Sequence, residues 1–321
     1  MLTVGHRASY EIPAMFWSRQ AGMRILARAG RATFVLTVAV ACAGCGGGTQ
    51  ASSPPKLDVP TPTQASPSAA STATGDASAT ASAAPLPPAQ PKDDVPERLR
   101  AVVVAGDRSD DDRALDVGRR PAELLAFAGI TEGMRVAEIG AWKGYTAELL
   151  ARAVGDAGRV YAQDPKAFDK WTKDAWAGRA KNAPLFARIT RVEREFDDPL
   201  PAEAKGLDAV FVVLFYHDTV WLGIDRAKMN RALFAALKSG GEYIVVDHRA
   251  KPGAGTSVAK TLHRIEESVV RTEVEQAGFK LAAAADFLKN PTDTYDWNDS
   301  DEAPKEKRGT SDRFVLKYVK P

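Results

Sequence analysis

The residues of this chain that first suggest chemistry lie in the run Val136-Ala137-Glu138-Ile139-Gly140-Ala141-Trp142-Lys143-Gly144-Tyr145-Thr146. An apolar stretch ends on a carboxylate, turns at a glycine and enters a helix. Glycine lets another group come close to the backbone, and a helix N-terminus offers free N–H groups. That combination suits a nucleoside-containing cofactor, with Glu138, Gly140, Ala141, Gly144 and Tyr145 as its candidate contacts. A dinucleotide fingerprint reads Gly-x-Gly-x-x-Gly. Here the spacing is acidic-x-Gly-x-x-x-Gly, and without the third glycine a dinucleotide-dependent dehydrogenase is the weaker reading.

Histidine supplies the second signal. Four occur in the chain, and His217, His248 and His263 fall in its C-terminal part. His217 and His248 follow two apolar runs that read as strands, and open α/β sheets bind ligands beyond the carboxyl ends of their strands. Topology should therefore bring His217, Asp218, Asp247 and His248 to one crevice. Three readings stand side by side. In the first, one of these groups is a general base, His217 foremost, with Asp218 and His248 as the other catalytic candidates. A neutral imidazole of pKa about 6.5 can take a proton from an attacking oxygen or nitrogen. Tyr216, Arg249 and His263 then line the acceptor side, although Arg249 and Arg264 could equally pair with nearby acids. In the second, His217, His248 and Asp247, with His263 in addition, ligate zinc or iron. No His-x-x-x-His or Cys-x-x-Cys spacing supports this, and no metal is assigned. In the third, each histidine makes a structural hydrogen bond at a strand end.

The elements that must position these groups alternate. Strands are expected at Met134–Ile139, Arg159–Gln163, Ala187–Glu193, Leu207–Phe215, Glu242–Asp247, Lys280–Phe287 and Arg313–Val319. Helices are expected at Pro96–Ala105, Asp110–Ala128, Tyr145–Val154, Pro165–Lys181, Asp225–Leu237 and Val258–Ala277. Pro121 suits a first helical turn, Gly129 a helix stop, and Gly155, Gly240-Gly241 and Gly278 close helices ahead of strands. Alternation at this spacing predicts a doubly wound parallel sheet with helices on both faces. The last two strands have no helix between them, so one late strand should run antiparallel. Asn290–Asp312, polar and highly charged, reads as a solvated excursion before the last strand.

The first motif resembles that of class I S-adenosylmethionine (SAM)-dependent methyltransferases, and the resemblance extends along residues 95–321. Asp164 ends the second strand, where the family places an acid on the ribose hydroxyls of SAM. Asp197-Asp198 follow the third strand, where family members meet the adenine. Phe215-Tyr216-His217-Asp218, Gly240-Gly241-Glu242-Tyr243-Ile244-Val245-Val246-Asp247-His248-Arg249, Leu262-His263-Arg264-Ile265, Ala277-Gly278-Phe279 and Asp312-Arg313-Phe314-Val315-Leu316-Lys317 look like a bacterial group of predicted methyltransferases, often exported. The resemblance implies a Rossmann-like seven-stranded sheet with an antiparallel last strand, SAM as cofactor, and methyl transfer to a small molecule. Trp142 and Lys143 depart from the family, which has glycine at the middle of this loop. Either Trp142 takes a negative φ and packs outward over the helix, or it weakens cofactor binding.

Residues 23–45 read as a targeting segment. Arg24, Arg28 and Arg31 precede a short apolar run, Ala32–Ala41, and then Ala41-Cys42-Ala43-Gly44-Cys45-Gly46. That run is well under the ~20 residues a spanning helix needs. Its end resembles a bacterial lipobox, which makes Cys45, or failing that Cys42, a lipidation site and places the domain at the cell envelope, facing the periplasm. A cytoplasmic address is the alternative. Residues 1–22 fit no part of a signal and point to Met23 as the first translated residue. Residues 46–92, rich in Ala, Ser, Thr and Pro, read as a disordered tether, leaving 93–321 as the folded domain. Cys42 and Cys45 are the only cysteines, so this domain has neither disulfide nor thiolate chemistry. The net charge of +2 hides a balance of thirty-eight basic against forty acidic residues beyond residue 45. Nothing in that balance argues for nucleic acid. SAM is made in the cytoplasm, so an exported chain raises a second reading, a non-catalytic ligand-binding lipoprotein on a methyltransferase scaffold.

Overall fold

A computed structural model describes residues 95–300 and 303–321; the expected signal segment, Cys42, Cys45 and the tether lie outside them. Seven strands form one sheet in the order β3-β2-β1-β4-β5-β7-β6, built from β1 (Arg135–Ile139), β2 (Arg159–Asp164), β3 (Ile189–Glu193), β4 (Leu207–Val213), β5 (Leu237–His248), β6 (Lys280–Ala285) and β7 (Arg313–Val319). The first five pair in parallel, while β7 lies antiparallel between β5 and β6. This is the expected Rossmann-like α/β sheet with its reversed last strand. Val136, Ala137, Val210, Phe211, Val212, Ile244 and Val245 are almost wholly buried. Their unbroken apolar runs mark strands covered on both faces. Chain order reverses between β1 and β4, and the crevice at their carboxyl ends is the natural ligand site of such a sheet.

Ten helices appear among the described residues. The ones that matter to the site are α1 (Glu97–Val103), α2 (Asp110–Arg119), α3 (Pro121–Phe127), α4 (Tyr145–Val154) and α5 (Asp169–Arg179), then α6 (Ala183–Phe186), α7 (Asp218–Trp221), α8 (Arg226–Ala236), α9 (Ala259–Leu262) and α10 (Glu267–Gln276). Ser109 caps α2, its Oγ accepting the Asp112 N–H at 3.2 Å. Asp110, Asp111 and Asp112 in the first turn complement the helix dipole.

Four expectations need correction. The helix expected over Asp110–Ala128 is two helices. Arg120 turns left-handed at φ 46° and ψ 58° before Pro121 opens α3, because proline disfavours helical geometry in the residue before it. The helix expected over Val258–Ala277 breaks at His263, also left-handed, and a bridge from Arg249 to Ile265 precedes α10. Gly240-Gly241 closes no helix: α8 ends at Ala236, and both glycines lie inside β5. The polar run Asn290–Asp312 is a solvated excursion only in part: Thr292, Thr294, Asp296 and Lys305 are exposed, whereas Asp293 and Asp299 pair with buried bases. Asp293 meets Arg264 at 2.7 Å with both side chains fully buried, and the guanidinium lies 4.7 Å from the Trp297 ring. Asp293 also accepts the backbone N–H groups of Tyr295 and Asp312.

Removing one partner of a buried ion pair leaves an uncompensated charge, at a cost of about 3–5 kcal/mol. Asp293→Ala should therefore lose about that much stability in urea unfolding, against about 1 kcal/mol or less for Asp110→Ala at the exposed start of α2.

Candidate functional site

At the end of β1, Glu138 turns toward the start of α4. The Thr146 hydroxyl and the Ala147 N–H donate to its carboxylate, while its Oε2 accepts no hydrogen bond. Burial lifts its pKa to about 8; Thr146, Arg119 and Ala147 pull it down, and nearby Asp164 adds to the rise. One strand over, Asp164 ends β2. Its Oδ1 accepts the Trp142 N–H at 3.0 Å. Arg191 Nη1 stands 3.4 Å from Oδ2, close enough for an ion pair but off hydrogen-bond geometry, so Oδ2 also accepts no hydrogen bond. Burial raises Asp164 to about 7 against the pull of Trp142 and Arg191. Gln163 Oε1, beside it, is a third buried acceptor without a donor.

The loop between them is tightly held. Gly140 and Ala141 both donate to the Gln163 carbonyl at 3.0 Å. Gly140, at φ 71°, lies under the Phe215 ring, which a Cβ there would meet at 2.6 Å. Gly144, at φ 79°, precedes α4. Trp142 does not take the negative φ of its first expected course. Its φ is +49°, a left-handed geometry unusual for so large a residue. Its carbonyl accepts from Trp176 Nε1 at 2.7 Å, and the next carbonyl, of Lys143, from Arg179 Nε at 2.6 Å. The Trp142 ring packs 5.5 Å from Phe168 and 6.0 Å from Trp171. From Phe168 the contacts run on to Phe196 at 5.6 Å and from Phe196 to Phe215 at 4.6 Å, with all three phenylalanines buried. Sequence reasoning missed this aromatic series. Its members sit in four separate segments, and only the strand-end geometry joins them.

Other loop candidates are engaged elsewhere. Tyr145 donates to Asp116 Oδ1 at 2.7 Å, under the Arg119 guanidinium 4.5 Å from its ring. Asp197 pairs with Lys228 at 2.8 Å, and Asp198 with Arg194. Arg179 gathers the region together. It binds Asp112 of α2 at 2.9 and 3.0 Å, Glu148 of α4, and the Lys143 carbonyl.

The histidines converge at the ends of β4 and β5. Asp247, fully buried, accepts the backbone N–H of His217 on Oδ2 and that of His248 on Oδ1, both at 2.7 Å. Its Oδ1 also lies 2.7 Å from His217 Nδ1. A carboxylate already taking backbone donors on both oxygens makes Nδ1 the protonated nitrogen, which turns Nε2 outward as the functional atom. His217 Nε2 stands 3.1 Å from Asp218 Oδ1 and 3.2 Å from His263 Nδ1, and those two atoms are 3.3 Å apart. Burial opposes charging of His217, yet Asp218 and Asp247 outweigh it and hold its pKa well above the ordinary value. Desolvation would raise Asp218, but His217 and His263 outweigh it and hold that carboxyl below the ordinary carboxylate range.

His248 belongs to a second group. Its Nδ1 lies 2.6 Å from Asp299 and 2.8 Å from Ser311 Oγ, both from the polar excursion, with Arg313 Nε at 3.3 Å. Burial lowers it to about 4, Asp299 notwithstanding, so it is neutral near pH 7. Tyr216 engages Glu273 and Asn230, at 2.8 Å each. Arg249 pairs with Glu267 and, at 3.0 Å, with Asp312. The glycine loop after β5 is fastened by Glu266, whose Oε2 accepts from Gly253 and Gly255 at 3.0 and 2.8 Å.

The chain resembles a SAM-dependent methyltransferase from Aquifex aeolicus, at 18% identity over 63% of this chain and 89% of that one, with a TM-score of 0.45. It resembles the methyltransferase solved with the Haloferax volcanii Trm112 methyltransferase activator, at 18% identity over 70% and 97%, with a TM-score of 0.47. A third likeness is to fibrillarin from Aeropyrum pernix with natively bound SAM, at 14% identity over 61% and 73%, with a TM-score of 0.39. The first two of these neighbours carry the name methyltransferase, and the third holds SAM. No protein-family model matches the chain, and no curated protein matches it.

Between about pH 4.5 and 8 the folded chain keeps a proton on Glu138 that the unfolded chain has lost. A raised carboxyl pKa thus makes stability fall as pH rises, at up to about 1.4 kcal/mol per unit. Urea unfolding at pH 5, 6, 7 and 8 should show a shallower decline for Glu138→Gln than for the wild type. Equal slopes would assign the proton elsewhere.

Proposed function

We propose that this chain transfers a methyl group from SAM to a small-molecule acceptor. One observation carries the reading. At the adjacent ends of β1 and β2, beside the sheet's switch point, Glu138 and Asp164 are buried carboxyls raised toward neutrality, each with an oxygen that accepts no hydrogen bond. Such a pair suits a ligand bearing both hydroxyl donors and positive charge, which the ribose and the sulfonium and ammonium groups of SAM combine. Asp164 would hold the ribose, and Glu138, with the N–H groups of the glycine loop, the region near the methionine part. When bound, the cofactor supplies an electrophilic methyl group on sulfur. The chain's own work is to exclude water with the Phe168, Phe196 and Phe215 rings and to orient the acceptor beside Asp218 and His217. Phe215, seated over Gly140, must swing aside for the cofactor.

The aromatic series supports a second reading, a non-catalytic binding protein on this scaffold, since those rings pack against one another beside the glycine loop. Isothermal titration of the purified protein with SAM and S-adenosylhomocysteine separates the two. One-to-one heat with both ligands, weakened about 10–100-fold by Asp164→Asn through loss of a charged hydrogen bond, supports the transferase. No heat with either, together with a different ligand retained through purification and identified by mass spectrometry, supports the binder.

We further propose that the domain is lipid-anchored to the cell envelope through Cys45, with Cys42 as the other site. In a bacterial host the wild type should partition with membranes and accumulate as an unprocessed precursor under globomycin. Replacing both cysteines with alanine should abolish the membrane fraction and the globomycin effect together.

A further inference from the structure

We infer that His217, Asp218 and His263 form a binding site for a divalent transition-metal ion, zinc or iron(II) in type. The inference rests on this cluster alone and stands whether or not a methyl donor binds in the neighbouring crevice. His217 Nε2, Asp218 Oδ1 and His263 Nδ1 make a nearly equilateral triangle with edges of 3.1, 3.2 and 3.3 Å. Ligands at about 2.0–2.1 Å from a tetrahedral zinc stand about 3.3 Å from one another. The three donor atoms are therefore already spaced as three corners of a coordination tetrahedron. The imidazole planes of His217 and His263 cross at 79°, so both rings can direct a nitrogen at one point without stacking.

Hydrogen bonding alone explains the triangle poorly. Three donor–acceptor lines of equal length around a triangle cannot all be straight, and bent hydrogen bonds are weak. A cation at the centre is attracted by all three atoms at once, and it displaces any proton they share.

The surroundings are those of a metal ligand set. Metal-bound histidine typically donates its other ring nitrogen to a carboxylate, which fixes its tautomer and raises its basicity. Asp247 does this for His217, and it is itself immobilised by two backbone N–H groups. Trp221 Nε1 donates to Asp218 Oδ1 at 2.8 Å and holds that carboxylate in place. His263 occupies a left-handed backbone position, φ 52° and ψ 48°, directly after α9. Glycine or asparagine is the ordinary residue there, and strain of this kind is kept where the side chain must be aimed. His217 and His263 are buried, whereas the Asp218 side chain is 22% exposed, so the side of the triangle nearest solvent is that of Asp218. That side offers the remaining coordination positions to water or to an acceptor oxygen or nitrogen. Two imidazole nitrogens and one carboxylate favour zinc or iron(II) over magnesium or calcium, which take mainly oxygen ligands. His248 is no member, since its Nδ1 is committed to Asp299 and Ser311.

Cobalt(II) is a spectroscopic probe of such a site. Untagged full-length protein, freed of metal by chelator and titrated with Co²⁺, should develop a visible d–d band that saturates at one equivalent. Zn²⁺ should abolish the band, and millimolar Mg²⁺ or Ca²⁺ should leave it. His263→Gly removes one ligand and suits the left-handed backbone, so its circular dichroism should match the wild type while cobalt affinity falls at least 100-fold. Asp247→Asn should weaken binding 10–100-fold. A wild type with no saturable one-to-one band, or a His263→Gly protein that keeps it, would overturn the site. Neither result depends on SAM.

Discussion

The Asp247 carboxylate is the interaction on which the site depends. It lies next to the last residue of β5, has no contact with water, and takes three donors: the backbone N–H of His217, the backbone N–H of His248, and His217 Nδ1. A buried carboxylate is tolerable only when so fully bonded. By being so, it couples the chain leaving β4 to the end of β5 and sets the tautomer and direction of the His217 ring. Asp218 and His263 can meet His217 Nε2 only because that ring is fixed. A change at Asp247 would therefore be felt at three residues it does not itself replace.

A second constraint is the pairing of buried bases. Arg179 binds Asp112, Glu148 and the Lys143 carbonyl, which draws α2, α4, α5 and the glycine loop to one point. Arg313 donates to the Gly118 carbonyl at 2.6 Å and lies near Asp299, and Arg264 binds Asp293. These guanidiniums join the N-terminal helices and the long polar segment to the sheet. Arginine suits that work, since its planar fork can serve several acceptors while remaining charged. The N-terminal helices add to these contacts an apolar face, since Leu99, Leu124, Leu125 and Phe127 are buried in the main core.

The loop and the histidine cluster differ in kind. Around the loop, acids with unfilled oxygens stand beside aromatic rings packed to contact, an arrangement that a ligand must open. At the cluster, three donor atoms are already spaced around a point and stiffened from behind. Adjacent strand ends of one sheet thus present a region where three donor atoms are already gathered and a region where buried acids stand beside closely packed rings.

Strand and helix order was legible in the sequence, because fully covered parallel strands write themselves as apolar runs and glycines mark where helices stop. So was the gathering of His217, Asp218, Asp247 and His248 at neighbouring strand ends, which topology alone requires. Which of them touch was not legible. His248 went to Asp299 and Ser311 from a segment that reads as solvated, since composition cannot tell a charge facing water from one paired in the interior. His263 joined His217 because the helix expected through it breaks there, at a left-handed residue that no periodicity announces. Trp142 took a positive φ for a similar reason: the backbone of a loop follows the hydrogen bonds that Asp164, Trp176 and Arg179 bring from distant parts of the chain. The sequence by itself determined the sheet, its order of elements and the ends at which polar groups collect. Only tertiary structure decided the partners, because hydrogen-bond and ion-pair geometry depends on distances across segments that the linear pattern leaves unrelated.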